Sequence, residues 1–350
     1  MIAATATAVP SHAVGRDEVK ACLRQVFSLE ARRLEAMMAV IDNSQVQQRY
    51  CVRPVDYIVQ PRSLEQTSRE YREHSICLGR RVAADCLRKA GLSPGEIDML
   101  ITVSCTGVMI PSLDAYLMND LGFRADVKRL PITELGCAAG AAAMARAADL
   151  VHAYPGASVL VVAVEIPSLA FQGSDVTQAN LISTVLFGDG AAAAVVTGRA
   201  LDGTRGPQIL GSESFLFPNS IDAMGFDLFD NGFHIVLSKD VPQLIRDHIG
   251  GLLTAFLARH GLTQDQISAF ILHPGGQKLL LYVEEELGLR RCNTQPSWDV
   301  LRDYGNLSSA SVLFVLHEWL TKRSIASRQY GLMAAFGPGF SAEMLLLQWP

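Results

Sequence analysis

Short apolar runs alternate with longer stretches that favour helices along this chain. Residues 97–103 (IDMLITV), 159–164 (VLVVAV) and 191–196 (AAAAVV) are runs of this kind, which are typical of central strands buried on both faces. Between the first two runs, residues 137–153 are rich in alanine, the strongest helix former. The alternation predicts an α/β fold.

The later part of the chain repeats this arrangement. Apolar runs predict strands at residues 269–272, 331–336 and 343–348. Periodic apolar positions predict helices at residues 277–287 and 308–321. The order of strands and helices is therefore similar early and late in the chain.

A faint internal repeat supports this similarity. The segment that starts at Gly91 (GLSPGEIDMLI) parallels the segment that starts at Gly261 (GLTQDQISAFI). A Gly-Asp-Gly at 188–190 and a Gly-Pro-Gly at 337–339 also each precede an apolar strand. Together these similarities favour a duplicated fold with two similar halves.

The boundary between the halves is expected in the stretch 198–211, which is rich in Gly, Thr and Pro. We therefore predict an N-terminal half at 1–204 and a C-terminal half at 205–350.

Composition excludes several classes of protein. The chain has 350 residues, is 49% hydrophobic and carries a net charge of −5, which excludes disorder and predicts no nucleic-acid binding. Seven cysteines without a CxxC motif predict a reduced, cytoplasmic protein rather than a disulfide scaffold. We expect no metal site, because zinc-binding motifs do not occur. We also expect no signal peptide or membrane segment, because the apolar runs are short.

Cys137 is the first candidate for chemistry. It follows a strand-like segment at 130–135 and lies at the start of the alanine-rich helix. A helix N-terminus stabilises a thiolate, which could lower the cysteine pKa to roughly 3.5–7.5. A buried structural cysteine is the alternative, and the residues alone leave both open.

His273 and Asn306 are two further candidates. His273 directly follows a predicted strand and precedes Pro-Gly-Gly, while Asn306 precedes an apolar helix. The alternatives are a surface histidine and a residue that caps the helix. A Cys–His–Asn order also occurs in papain-like proteases, but their local cysteine signature is absent here, which disfavours a protease.

Five segments together resemble one family. ELGCAAGAA, FGDGAAAAVV, HPGGQ, YGNLSSAS and FGPG occur in this order and are similar to segments of type III polyketide synthases, the chalcone-synthase-like branch of the thiolase superfamily. Ketoacyl synthase III relatives usually carry Gln-Ala-Asn after the histidine, whereas Pro-Gly-Gly follows it here. The resemblance implies a homodimeric acyltransferase without a cofactor. It also implies a thiolase fold, whose two duplicated halves form α-β-α-β-α layers.

The resemblance also implies residue roles. Cys137 matches the nucleophile that carries the acyl chain, and His273 matches the group that holds it as a thiolate. His273 and Asn306 match the pair that assists decarboxylation of malonyl-CoA. Phe187 and Phe233 match two gatekeepers of the acyl tunnel.

Further matching positions are implied to line the substrate pocket or to reach across a dimer. The pocket positions are Cys105, Thr106, Ala170, Ser308, Gly337 and Pro338. Ile110 matches the residue that reaches toward the partner's active site.

The sequence departs from the plant members of the family at two places. The basic cluster that grips coenzyme A is replaced by AMMAV at 36–40, although Arg49 and Tyr50 remain. The CoA phosphates are then bound otherwise, or an acyl carrier protein delivers the starter. Ala335 also stands where the family pattern has glycine.

The resemblance implies extension of an acyl-CoA starter with malonyl-CoA. The small side chain of Ala170 leaves room for a medium or long fatty acyl starter and an alkylpyrone or alkylresorcinol product. Three alternatives stay open. They are a malonyl-CoA-primed synthase (tetrahydroxynaphthalene or phloroglucinol type), a ketoacyl synthase III that condenses once, and a catalytically silent thiolase-fold binding protein.

Overall fold

The computed structural model describes residues 1–27, 29–201, 203, 206–323 and 325–350. Its strands are β1 (Ile2–Ala8), β2 (His12–Gly15), β3 (Gln48–Cys51), β4 (Met99–Val103), β5 (Lys128–Ile132), β6 (Ser158–Glu165), β7 (Gly190–Thr197), β8 (Gln208–Leu216), β9 (Met224–Phe229), β10 (Gly232–Leu237), β11 (Ile267–Leu272), β12 (Tyr330–Gly337) and β13 (Ser341–Gln348). Its α-helices are α1 (Arg16–Val26), α2 (Ala31–Asn43), α3 (Val55–Ile58), α4 (Leu64–Ala90), α5 (Leu113–Leu121), α6 (Ala139–Ala153), α7 (Gln178–Leu186), α8 (Val241–Arg259), α9 (Gln277–Glu286), α10 (Arg291–Tyr304) and α11 (Ser311–Lys322).

Two sheets share the topology of four strands, and the first sheet has β5 as an additional edge strand. The first has the order β1-β7-β6-β4-β5, and the second has the order β11-β12-β13-β8. In the first, β4 and β6 are parallel, while β7 is antiparallel to both β6 and β1. In the second, β11 and β12 are parallel, while β13 is antiparallel to both β12 and β8. The predicted duplication is confirmed.

The repeat seen in the sequence corresponds to a repeated helix-to-strand connection. Gly91 follows α4 with φ 69°, and Gly261 follows α8 with φ 68°, a left-handed conformation that glycine adopts without strain. The backbone N–H of Ser93 and that of Thr263 each donate to the side chain three residues ahead, both at 2.8 Å. The same local chemistry therefore directs the chain into β4 and into β11.

The central helices α6 and α11 lie between the two sheets. In β6, Val159 and Val161 belong to the apolar cluster around these helices, whereas Leu160 and Val162 belong to the cluster under α4. On the far side, α8 and α10 pack against the second sheet. The resulting layers are α-β-α-β-α, as the thiolase fold requires.

The predicted strands and helices are confirmed, with one difference near the candidate nucleophile. Residues 130–135 are expected to be strand-like, but β5 ends at Ile132. Among the described residues, β5 pairs with β4, which ends at Val103, opposite Ile132, and residues 133–135 extend past its end. The following residues turn into a 3₁₀ helix, Gly136–Ala138, which leads directly into α6.

The predicted boundary between residues 204 and 205 lies outside the described residues. Within the part of the chain that the structure describes, each helix is too short or too polar to span a membrane.

Candidate active site

Cys137 lies where the first central helix begins. It is buried, with 9% of its surface exposed, in the 3₁₀ turn Gly136–Ala138. Gly136 has φ 51°, and a Cβ added to it would lie 2.4 Å from Cδ of Pro338. A Cβ added to Gly337 would lie 2.5 Å from the carbonyl oxygen of Leu135. The β12–β13 turn that contains these two predicted pocket residues therefore packs tightly against the cysteine turn.

The second central helix begins beside the same cysteine. The 3₁₀ turn Ser308–Ala310 precedes α11, and a Cβ added to Gly140 of α6 would lie 2.1 Å from the carbonyl oxygen of Ser309. Glycine is required for this close approach. It brings Sγ of Cys137 to 3.5 Å from Oγ of Ser308.

The amide of Asn306 is held in one orientation by its neighbours. Its Oδ1 accepts from the backbone N–H of Ser308 at 2.8 Å and from Oγ of Ser311 at 3.4 Å. Its Nδ2 donates to the carbonyl oxygen of Gly275 at 3.4 Å. The local helix start therefore occupies the acceptor of Asn306, and its amide nitrogen is the end that can donate to a ligand.

His273 is a buried histidine with unused ring nitrogens. Its backbone N–H donates to the carbonyl oxygen of Ala334 at 2.9 Å, which fixes it at the end of β11. The residue is 1% exposed, and neither ring nitrogen has a hydrogen-bond partner among the described residues. Buried polar atoms are nearly always paired, so this imidazole is suited to bind a polar atom of a ligand.

Burial is the largest influence on the pKa values of Cys137 and His273. Burial raises the pKa of Cys137 to about 12, although hydrogen bonds from Ser308 and Asn306 favour the thiolate. Burial lowers the pKa of His273 to about 3. Burial by itself thus favours a neutral thiol and a neutral imidazole and opposes the stabilisation from the helix start. The thiolate held by His273 stays a prediction.

Glu165 is a central residue that the sequence analysis misses. It ends β6, is fully buried, and accepts from Oγ1 of Thr106 at 2.7 Å and from the backbone N–H of Cys105 at 3.1 Å. Oγ of Ser309 also donates to it. Burial raises the pKa of this carboxyl. The available signal is a single acidic residue at the end of an otherwise apolar strand.

Cys105 connects this carboxylate to the nucleophile. Its Sγ lies 3.2 Å from Oε1 of Glu165 and 3.2 Å from Oγ of Ser308. Since Ser308 also contacts Cys137, a continuous polar chain runs from the buried carboxyl to the candidate nucleophile.

An apolar cavity of about 100 Å³ is lined by Phe187, whereas Cys137, His273 and Asn306 are not among its lining residues. Phe187, Phe233 and Ala170 line it together with residues of α1, α3, α7 and the hairpin formed by β9 and β10. A second cavity of about 10 Å³ is lined by Thr106, Ala170 and Phe233. The structure thus brings together the two predicted gatekeepers and the predicted tunnel residue.

Backbone hydrogen bonds hold Phe187, one of the two predicted gatekeepers, next to Asn306. The N–H of Asn306 donates to the carbonyl oxygen of Leu186 at 2.8 Å, and the N–H of Gly188 donates to the carbonyl oxygen of Asn306 at 3.0 Å. Phe187 is therefore held directly beside Asn306. Ile110, in contrast, lies on a loop before α5 and is 89% exposed.

Two family models match almost the whole chain. The N-terminal domain of chalcone and stilbene synthases matches residues 1–200, and the C-terminal domain of these synthases matches residues 208–349. The chain belongs to the chalcone and stilbene synthase family. It is a type III polyketide synthase, a condensing acyltransferase.

Bacterial type III polyketide synthases are similar along their full length. A 1,3,6,8-tetrahydroxynaphthalene synthase of Streptomyces peucetius is 36% identical, over 99% of this chain and 93% of that protein. A phloroglucinol synthase of Pseudomonas fluorescens is 33% identical, over 97% of this chain and 96% of that protein. The crystal structure of 1,3,6,8-tetrahydroxynaphthalene synthase from Streptomyces coelicolor superposes with a TM-score of 0.95 at 34% identity and covers 99% of both chains.

Proposed function

We propose that this type III polyketide synthase loads an acyl group onto Cys137 and extends it with malonyl-CoA. The proposal is supported by the position of Cys137 at the start of α6, 3.5 Å from Oγ of Ser308, and by the hydrogen bond from the amide of Asn306 to the carbonyl oxygen of Gly275, two residues after His273. Phe187, which pairs with Asn306, lines the apolar cavity. The proposal needs no cofactor besides the acyl-CoA and malonyl-CoA substrates.

Loading requires transfer of the thiol proton. Sγ of Cys137 forms a bond to the acyl carbon, the bond from that carbon to the CoA sulfur breaks, and the thiol proton passes to the departing CoA thiolate. A neutral imidazole can carry this proton, because it accepts at one nitrogen and donates from the other. The low pKa of His273 keeps the imidazole neutral at neutral pH.

Decarboxylation of malonyl-CoA creates negative charge on the thioester oxygen. The carbon–carbon bond to the carboxylate breaks, CO₂ leaves, and the electron pair forms an enolate. An N–H of His273 and Nδ2 of Asn306 would donate to this oxygen, as in an oxyanion hole. The enolate carbon then attacks the acyl carbon on Cys137 and releases the cysteine sulfur for the next cycle.

A medium-chain fatty acyl starter suits the cavity best within the medium-to-long range that the sequence predicts. The volume of the cavity is about 100 Å³, which is smaller than the roughly 150 Å³ cavity that holds benzene in an engineered protein. The shorter chains of the predicted range therefore fit it better than the longer ones. Each buried CH₂ contributes about 0.8 kcal/mol, so a few carbons past Ala170 would raise affinity by orders of magnitude. Cyclisation would give an alkylpyrone or an alkylresorcinol.

Priming by malonyl-CoA is the second candidate. The names of the two relatives, tetrahydroxynaphthalene synthase and phloroglucinol synthase, favour it. We further propose a homodimer in which the exposed Ile110 lies against the partner. We also propose that the starter arrives either on CoA or on an acyl carrier protein.

Ala170→Phe tests the starter assignment. The new ring should fill the cavity and lower kcat/KM for octanoyl-CoA at least tenfold more than for acetyl-CoA or malonyl-CoA. Ala153→Phe is the matched control, because Ala153 is exposed at the end of α6, and it should change neither value. An octanoyl-CoA value that Ala170→Phe leaves unchanged would refute the fatty acyl starter.

A further inference from the structure

Arg49 is a buried cation in the wall of the cavity. It lies in β3, is 3% exposed, and is one of the residues that line the cavity beside Phe187. The other polar residues of this wall are uncharged side chains such as Ser168, Asn180 and Thr184. The cavity is therefore apolar with one positive charge.

The guanidinium has one hydrogen bond and a free edge. Its Nη1 donates to the carbonyl oxygen of Thr184 at 2.7 Å, in the last turn of α7. Its Nε is buried without a partner among the described residues, and Nη2 makes no hydrogen bond to them. Nε and Nη2 form the side of a guanidinium that binds a carboxylate through two parallel hydrogen bonds.

No carboxylate of the described residues pairs with Arg49. Burial lowers its pKa to about 10, which still leaves the side chain charged at neutral pH. A buried charge without a counter-ion is costly, and the cost falls when an anion binds beside it. The surroundings of Arg49 are thus complementary to an anionic ligand group.

We propose that the cavity binds acyl chains that carry a carboxylate at the end remote from the thioester, with Arg49 as the partner of that carboxylate. This inference rests on the proposed function, since the acyl chain must pass from Cys137 beside Phe187 into the cavity. It narrows the substrate class from fatty acyl starters to ω-carboxyacyl starters. The alkyl part of the chain would contact the apolar wall, and the carboxylate would meet the free guanidinium edge.

If Arg49 only supported α7, a lysine could replace it. The bond to the carbonyl oxygen of Thr184 uses a single N–H, which a lysine can supply, whereas the two-bond edge is specific to arginine. Arg49→Lys therefore separates support of α7 from recognition of a carboxylate, and Arg49→Met removes both.

The test compares adipoyl and hexanoyl thioesters of N-acetylcysteamine as starters, with malonyl-CoA as extender. These starters have six carbons each and lack the CoA phosphates, so their ratio of kcat/KM reports the distal carboxylate alone. In the wild-type enzyme the ratio should favour adipoyl. It should fall at least tenfold in Arg49→Met and by a smaller factor in Arg49→Lys.

Arg62→Met is the control for loss of a partly buried arginine. Its Nη2 donates to the carbonyl oxygen of Ile58 at 3.1 Å, and it is outside the residues that line the cavity. The ratio should not change in this variant. A ratio that is the same in the wild type and Arg49→Met would overturn the inference. It would also be overturned if Arg49→Met raised KM for malonyl-CoA equally with both starters. Arg49 would then bind the carboxylate of malonyl-CoA rather than that of the starter.

Calorimetry on the wild-type enzyme keeps the inference testable if Arg49→Met does not fold. Adipate should bind more tightly than hexanoate, and the difference should shrink at high salt. Equal or weaker binding of adipate would overturn the inference. If the wild type extends neither starter, the proposed function fails instead, and the calorimetric comparison still decides the role of Arg49.

Discussion

The thiol of Cys137 lies in surroundings that oppose its ionisation. Burial raises its pKa to about 12 and lowers that of His273 to about 3, which favours the neutral form of each group. The cysteine must lose its proton as it attacks the thioester. The hydroxyl of Ser308, 3.5 Å from Sγ, and the imidazole can then stabilise the developing charge.

The protonation of Cys137 predicts how its alkylation depends on pH. Below a pKa of about 12, the thiolate fraction rises about tenfold for each pH unit, and the thiolate is the reactive form. The rate at which iodoacetamide modifies the Cys137 peptide, followed by mass spectrometry, should therefore keep rising between pH 7 and pH 9. A rate that is constant above pH 7 would instead indicate the thiolate–imidazolium pair that the family resemblance implies.

His273 and Asn306 should separate in their effects on the two chemical steps. Asn306→Ala and Asn306→Asp both remove the amide donor, while aspartate keeps an acceptor for the backbone N–H of Ser308. Both should load Cys137 normally but slow malonyl-CoA decarboxylation by about 10²–10³. His273→Ala should lose both steps, because the proton carrier and the donor are the same ring.

Two assays measure this separation. The mass of the acyl-enzyme reports loading, and release of labelled CO₂ reports decarboxylation. Equal loss of loading in Asn306→Asp and His273→Ala would contradict the assignment of separate roles.

The contact between the central helices depends on a single missing side chain. A Cβ on Gly140 of α6 would lie 2.1 Å from the carbonyl oxygen of Ser309, which cannot yield without moving the turn that carries Ser308. Gly140→Ala should therefore destabilise the fold by about 1–3 kcal/mol, the usual cost of overpacking. It should also lower the rate of product formation.

Gly251→Ala, in another helix, is the matched control for Gly140→Ala. Gly251 lies within α8, and a Cβ there would meet no atom within 4 Å. The same substitution should stabilise the protein by about 0.5–1 kcal/mol, because alanine favours helices over glycine. Urea unfolding midpoints measure both changes, and similar midpoints for the two variants would contradict the close helix contact.

The apolar pattern suffices to predict the central strands and helices but not the hairpin of β9 and β10. In β6 and β7 every residue is buried, so the sequence shows continuous apolar runs. In β9, Met224 and Phe226 are half-buried whereas Leu228 and Phe229 are exposed. Such a strand lacks both the continuous run and a clean alternation, although its hairpin supplies Phe226 and Phe233 to the cavity wall.

In the whole molecule, duplication explains why the site lies between the halves. Four strands of the first sheet, β4-β6-β7-β1, have the same order as the four strands of the second, and β5 is an additional edge strand. The first turn of α6 meets the turn before α11. Cys137 comes from one half, while His273 and Asn306 come from the other. A similar fold in each half thus supplies a different part of the chemistry.

The sequence identifies the three catalytic candidates through motifs, but it does not reveal the buried charges around them. Glu165 is recognisable as buried only when the hydroxyls of Thr106 and Ser309 are seen to point at it. Arg49 is recognisable as unpaired only when the cavity is known. Partners of this kind are distant in sequence, so spacing and periodicity carry no information about them.

Product analysis of the wild-type enzyme tests the central claim most directly. Octanoyl-CoA and ¹³C-labelled malonyl-CoA are supplied together, and the products are resolved by mass spectrometry, with Cys137→Ala as the control. The account predicts a product that contains the octanoyl group and two or more labelled two-carbon units, and none of it from Cys137→Ala. A product built from malonyl units alone, or one with a single labelled unit, would contradict an acyl-primed synthase that extends its chain repeatedly on Cys137.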